Sequence, residues 1–485
     1  MIEKKQEKGL YIAISDRNLS VVVFSLFFSW QLSFPFEGQV LYSIFATYGM
    51  SPDVIILGAI VTTLAGLFFC RFFIKSIKSA KSLMLGAIVY CFLVTCVFFF
   101  PPSAFWSVAI ASSAFLAGGC VAAWGFFLKR DTPKSERIKT VADALIGSNL
   151  LMIFLNISAI YLSPYIGLGL SLLMLTLAFI FALRLSTEGE KPLSPQPVPL
   201  SSSTSIVKPL AFLCLFIIVI TINSGLMYRV VNPAYGHLEW LTSWYWAVPY
   251  IVALYVMKNL PRSTNRNYFL YVAIAMIGFS FILFMILDRS AFSYLVVNSL
   301  MLGACGVYDL FWWSILGEML EYDKNPAKIL GIGLSANVLG VLVGGQIGST
   351  MASADINGIH PTIMALGVVC VTLIMLPVLH KHLSMLLSDH AYLTVLTSMV
   401  KEDQNKTVEQ FVSDGRLTER EKEIAALLLK GKTYRMIAGD LCLSENTIKT
   451  HVKNIYGKYK IQSRTELVNL MMERHLPEET EIRRK

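Results

Sequence analysis

The sequence predicts an all-α protein: a twelve-helix transmembrane bundle laid out as six plus six, followed by a compact four-helix domain at the carboxyl end. Three observations carry this expectation. The chain of 485 residues is 55% hydrophobic and only 15% charged, against about a quarter charged in soluble domains. Its apolar residues fall in blocks of roughly 20, the length that crosses ~30 Å of hydrocarbon at 1.5 Å per residue. Beyond the last block the composition turns polar and basic, and the remaining apolar residues recur at helical spacing.

The twelve blocks lie at 19–44, 54–74, 82–100, 104–128, 140–162, 165–184, 209–229, 239–257, 268–287, 292–319, 329–352 and 361–380. The first is too long and aromatic for a signal-peptide core, and its flank is polar, so no cleavable signal is read there. Composition sets the domain boundaries: an N-terminal segment 1–18, spans one to six over 19–184, a Pro/Ser-rich loop 185–208, and spans seven to twelve over 209–380. A juxtamembrane segment and linker follow at 381–414, then a compact domain at 415–475 and a charged tail at 476–485. The loop contains "STEGEKPLSPQPVPLSSSTS", which cannot build a packed element.

The net charge of +9 is unevenly placed. Loops and span ends on one side of the expected bundle hold 21 Lys and Arg; the other side holds Arg229 and Arg289. The positive-inside bias then orients both termini to the cytoplasm; if the chain is bacterial, the membrane is the inner one and the tail lies on the side where DNA is. The eight cysteines form no CxxC pair, so neither a disulfide framework nor a metal site is expected. There is no phosphate-binding glycine loop, zinc-protease motif or nucleophile elbow, so the chain reads as no enzyme and needs no cofactor.

Two further patterns suggest duplication of a six-span unit. Span four carries "FLAGGCVAAWGFF" and span ten "LMLGACGVYDLFWW"; span five carries "IGSNLL" and span eleven "GLSANVL". The layout over roughly 15–380 resembles the major facilitator superfamily. That family usually has glycines and an aspartate in the loop between spans two and three. Here the loop is "CRFFIKSIKSAKS", basic but without either, which argues against ordinary alternating-access transport.

Ionisable groups inside spans cost about 2.5–3.5 kcal/mol each on insertion scales and mark candidate sites. Glu37 in "FPFEGQV" stands beside Pro35 and Gly38, which break a helix and free backbone groups for a ligand. Asp309 stands among Tyr308, Trp312 and Trp313, and Asn149, Asn156 and Asn337 are polar and mid-span. Glu37, Asp309, Asn149 and Asn337 are the candidates to line a cavity between the two sets of six. The competing readings are interfacial exposure for Glu37, an internal pairing for Asp309, and helix-to-helix hydrogen bonds for the asparagines.

The tail reads as four helices. Thr418 and Glu421 form a capping box, and Ser463 with Glu466 another. Ser444 caps a third helix in which Ile448, Val452, Ile455 and Tyr459 make one stripe. Met436, Ile437 and Leu441 are expected to face inward from the second helix. From Arg416 to Arg474 there are twelve Lys/Arg and seven Asp/Glu, a basic excess suited to phosphate. A helix anchored on one face and basic on the other fits the major groove.

The stretches "LTEREKEI", "KTYRMIAGDLCLSENTIKTHVKNIYGK" and "SRTELV" closely resemble the LuxR-type (GerE-like) helix-turn-helix domain of bacterial transcription regulators, without a gap over about sixty residues. By that resemblance Lys449, Thr450 and Lys453 would meet bases or nearby phosphates, while His451, Asn454 and Lys458 would hold the DNA backbone or steady the helix. Leu467, Val468 and Met471 would form a homodimer face. Tyr434 and Arg435 depart from the family's usual residues at the start of the second helix. The expected partners are double-stranded promoter DNA, the lipid bilayer and an unknown small-molecule inducer. The leading reading is a membrane-embedded one-component regulator. A transporter with an autoregulatory tail, or a bundle that merely tethers the DNA-binding domain, are the alternatives.

Overall fold

The computed structural model describes residues 15–36, 38–187, 206–260, 266–353, 361–398, 417–429, 432–461, 463–464, 466–467 and 470. Among them there is no strand. The chain divides into two compact units, Met1–Leu379 and His380–Lys485.

The first unit is built from α1 (Asp16–Ser33), α2 (Gln39–Thr47), α3 (Asp53–Phe73), α4 (Ile77–Thr95), α5 (Ala104–Asp131), α6 (Arg137–Ile157) and α7 (Pro164–Leu183). After the Pro/Ser-rich loop come α8 (Val207–Leu226), α9 (Ala247–Lys258), α10 (Arg266–Ile286), α11 (Ala291–Met319), α12 (Pro326–Ser353) and α13 (Pro361–Ser398), of which the residues to Leu379 belong to this unit. Ten helices in the described residues are long and apolar enough to cross a membrane. The sequence expected twelve, and the two shortfalls have local causes. The first span opens on Asp16, Arg17 and Asn18, and it is cut in two after Phe34. The eighth, expected at 239–257, is reduced to the twelve residues of α9, because the chain turns at 243–246 between a single helical turn at Glu239–Thr242 and α9, and Pro249 in the first turn of α9 has no N–H to carry the helix back across that turn.

The cut in the first span was legible. A β-carbon at Gly38 would lie 2.0 Å from the Ser33 carbonyl, so only glycine lets the chain turn back there. The first helix of the second six ends in a comparable irregularity, a π-helical turn at Met227–Val231. Elsewhere small residues bring backbones together. A β-carbon on Gly344 would stand 2.1 Å from the Ile222 carbonyl oxygen, so α8 and α12 touch main chain to main chain, as membrane helices do when no hydrophobic force separates helix from lipid.

The two sets of six meet through α12 against α3 and α5, and through α6 against α9 and α11. An aromatic cluster joins them: Phe24 to Trp124 with centroids 4.3 Å apart, Trp124 to Trp313 at 6.3 Å, and Trp313 stacked on Trp312 at 5.5 Å. One end of the bundle is tied by charge. Arg137, 2% exposed, pairs with Glu321 and donates to the Gly317 carbonyl at 2.9 Å. Asp143 is held by Arg17 and by Lys258, each at 2.8 Å. Lys129 donates to the Asp323 carbonyl at 3.0 Å, and Asn325 to the Ile74 carbonyl at 2.8 Å. These basic residues come from loops that the sequence assigns to a single face. At the opposite end Arg229 meets Asp53 at 2.8 Å, with the aspartate side chain 64% exposed.

Burial ranks these ties. Removing one member of a buried pair costs about 3–5 kcal/mol, whereas exposed pairs are worth ~0–1 kcal/mol. Unfolding of the detergent-purified protein should therefore show Arg137→Ala losing several kcal/mol and Asp53→Asn at most about 1. Equal losses would contradict that ranking.

Candidate functional site

Two regions gather the residues singled out above. The first is a cavity of about 170 Å³ between the two sets of six. Asp309 on α11, Asn149 on α6 and Asn337 on α12 all line it. The fourth candidate, Glu37, lies outside the described residues. Both helix irregularities border the same space: Phe36 follows the break after α1, and Met227 and Tyr228 sit in the π-helical turn after α8.

Asp309 is partly exposed and is oriented by two donors. The Tyr250 hydroxyl donates to Oδ2 at 3.1 Å, and the Trp312 indole nitrogen donates to Oδ1 at 3.1 Å. Next to it the Tyr308 hydroxyl bonds with Ser224 Oγ and with Cys305 Sγ, each at 2.8 Å. Asn149 donates to the Leu145 carbonyl in its own helix at 2.8 Å. Asn156 is buried but is not part of the lining. Two buried lining residues, Gln31 and Thr63, each leave a side-chain oxygen without a hydrogen-bond partner among the described residues. Tyr250, Gln31 and Thr63 were not anticipated. Each lies on a helix other than that of Asp309, and no spacing rule links them to it.

The second region is the carboxyl-terminal unit, with α14 (Glu419–Leu429), α15 (Tyr434–Asp440) and α16 (Glu445–Tyr459). Thr418 and Glu421 form the expected reciprocal cap: the Thr418 amide donates to Glu421 Oε2 at 2.8 Å. Thr433 and Ser444 cap the next two helices through their hydroxyls. Ile448, Val452, Ile455 and Tyr459 all enter one core with Ile424, Leu428 and Ile437. Met436 does not: it is 52% exposed, while Ala438 takes the inward position. At the expected second cap the Glu466 amide donates to the Ser463 hydroxyl at 3.2 Å, and that hydroxyl donates to Glu466 Oε1 at 3.2 Å.

Lys449, Thr450, Lys453 and Asn454 are exposed on α16, and His451 is half-buried. Their charges are not equally free. Lys449 is paired with Glu445 at 3.0 Å along its own helix. Lys458 is committed to Glu421 across the domain, so it steadies the helix rather than offering its charge outward. Burial raises the Glu421 pKa, but the hydrogen bonds from Lys458 and Thr418 outweigh this, and the carboxyl is held below its ordinary value. Of the residues expected at a dimer face, Leu467 is fully buried in this domain's own core and so has no side chain to offer a second copy. Val468 and Met471 lie outside the described residues.

Residues 415–471 match the family model of bacterial regulatory proteins, luxR family (GerE). A putative HTH-type transcriptional regulator of Aeromonas salmonicida is 44% identical over 61 residues, 13% of this chain and 31% of that protein. The uncharacterized response regulatory protein YgeK of Escherichia coli K12 is 42% identical over 69 residues, 14% of this chain and 47% of that protein. The spore germination protein GerE of Bacillus subtilis is 37% identical over 59 residues, 12% of this chain and 80% of that protein. The chain thus spans 31% and 47% of the length of the first two relatives. Among solved structures, the crystal structure of the human organic anion transporter MFSD10 (TETRAN) superposes with a TM-score of 0.56 at 13% identity, covering 74% of this chain and 99% of that one. At that identity the likeness is one of fold.

If Lys453 meets phosphate, Lys453→Ala in the isolated 405–485 fragment should lower the salt slope of DNA binding by ~0.9. If it reads a base, the loss is ~1–3 kcal/mol and one position of the site is blurred. An unchanged isotherm would turn this face away from DNA. A carboxyl with a depressed folded-state pKa stabilises the fold above its unfolded value, near 4.5, and loses that contribution as pH falls through the folded value. The stability gap between this fragment and its Glu421→Gln variant should accordingly be full at pH 7 and shrink below about pH 4.5, measured by urea unfolding across that range.

Proposed function

Because this chain belongs to the luxR family of bacterial regulatory proteins through its carboxyl-terminal domain, we propose that it is a membrane-embedded one-component transcription regulator. The bundle, with its major-facilitator-like fold, takes up a small molecule in the central cavity. The helix-turn-helix domain binds promoter DNA through the exposed face of α16, with both termini cytoplasmic. The observation that carries this reading is the coexistence, in one chain, of an exposed face bearing Lys449, Thr450, Lys453 and Asn454 and a cavity lined by an intramembrane aspartate.

A ligand shifts an equilibrium only through its differential affinity for two states. The two sets of six touch along a few helices and ion pairs, which suits a bistable joint, and occupancy of the cavity would favour one arrangement. DNA binding as a homodimer belongs to this proposal, through surfaces other than Leu467.

The transporter-like fold favours a second reading, in which the bundle moves its ligand and the tail regulates its own expression. Counterflow in proteoliposomes separates the two. For the leading reading, a reporter strain should lose inducible control when residues 1–380 are deleted, and lose promoter occupancy with Lys453→Ala in the full chain. Unchanged control after the deletion, across the inducers tested, would sink the sensory role.

A further inference from the structure

The chemistry of the central cavity specifies a class of ligand. Among its described lining residues there is one carboxylate, Asp309, and no lysine, arginine or histidine. An anion would find no counter-charge there, although the human structural neighbour is named as an organic anion transporter. The rest of the wall is rich in aromatic residues, among them Phe28, Phe36, Trp246, Tyr250, Tyr308 and Trp313. The faces of such rings present negative π density and attract cations over the ring.

The polar atoms agree in sign. A carboxylate offers about four acceptor positions, and Asp309 uses them for two donors, Tyr250 and Trp312. Those two bonds fix its orientation and leave acceptor capacity facing the cavity.

We infer that the cavity binds a small organic monocation, a protonated amine or quaternary ammonium with an apolar body, using Asp309 as counter-ion and the aromatic faces as its cage. This rests on the sensory reading above and deepens it. A carboxylate kept inside an apolar bundle is destabilising unless paired, and a bound cation pairs it.

The test uses the full chain in lipid nanodiscs, titrated with tetramethylammonium, phenyltrimethylammonium and benzyltriethylammonium, and with benzoate as the anion control. Trp246 and Trp313 line the cavity, so quenching of tryptophan emission reports occupancy, and a rise in melting temperature confirms it. At least one cation should saturate, benzoate should not, and Asp309→Asn should weaken the cation tenfold or more. The comparison of cation with anion on the unmodified chain needs no variant, so it stands even if Asp309→Asn misfolds. Binding of benzoate as tight as that of the cations, saturation by none of the series, or equal affinity in Asp309→Asn would each overturn the inference. Cation binding without any promoter response would uphold the ligand class and overturn the regulatory reading; promoter control by the bundle without cation binding would do the reverse.

Discussion

A backbone surrounded by hydrocarbon has no water to bond, and this constraint organises the molecule. Each amide and carbonyl inside the bilayer must be satisfied within its own segment or by a protein neighbour. The membrane unit is accordingly helical throughout its described spans. At the first helix of each six the irregular backbone borders the central cavity, at Phe36 and at Met227–Tyr228. The same rule makes polar side chains conspicuous. The buried serines and threonines mostly bond back to carbonyls in their own helices, as Ser148 and Thr221 do. Asp309, Gln31 and Thr63 instead meet at a common wall that no single helix could satisfy.

In the carboxyl-terminal unit the governing constraint is charge. A domain with a basic excess must hold itself together without tying up every cation. Glu421 gathers the α14 cap and Lys458 into one buried acidic node, and Lys449 is tethered to Glu445 on the helix surface. Surface pairs of that kind are weak and exchange easily for phosphate, whereas the Glu421 node is structural. Among the described residues, Lys449 and Lys453 on the exposed face of α16 are charges that could meet a polyanion.

Much of this was legible in the sequence, and the residues show why. The stripe of Ile448, Val452, Ile455 and Tyr459 follows from a period within one helix, and the caps at Thr418 and Ser444 from local residue chemistry. Asp309 stood out as a charge inside an apolar block. What escaped were the relations between elements. Helical period does not fix how one helix is rotated against another, so Tyr250 as the partner of Asp309, Lys458 as the partner of Glu421 and the inward position of Leu467 could not be read. Met436 failed for the same reason: on a seven-residue helix, periodicity leaves the inward face ambiguous by one position. The eighth span failed because an apolar count does not register the turn at 243–246 that splits it ahead of Pro249.

The unequal fastening of the bundle has a directional consequence. The Arg137–Glu321 end is buried and reinforced by Lys258, Asp143 and Lys129, while the described ties at the opposite end are solvated: the Arg229–Asp53 pair and the Tyr161 hydroxyl donating to the Trp240 carbonyl at 3.2 Å. Thermal fluctuation parts the looser seam first, so an occupant would come and go at the Arg229 end. With the basic end turned toward the cytosol as proposed, that doorway faces the outside world, and the protein would sample its surroundings before the cell has imported anything from them.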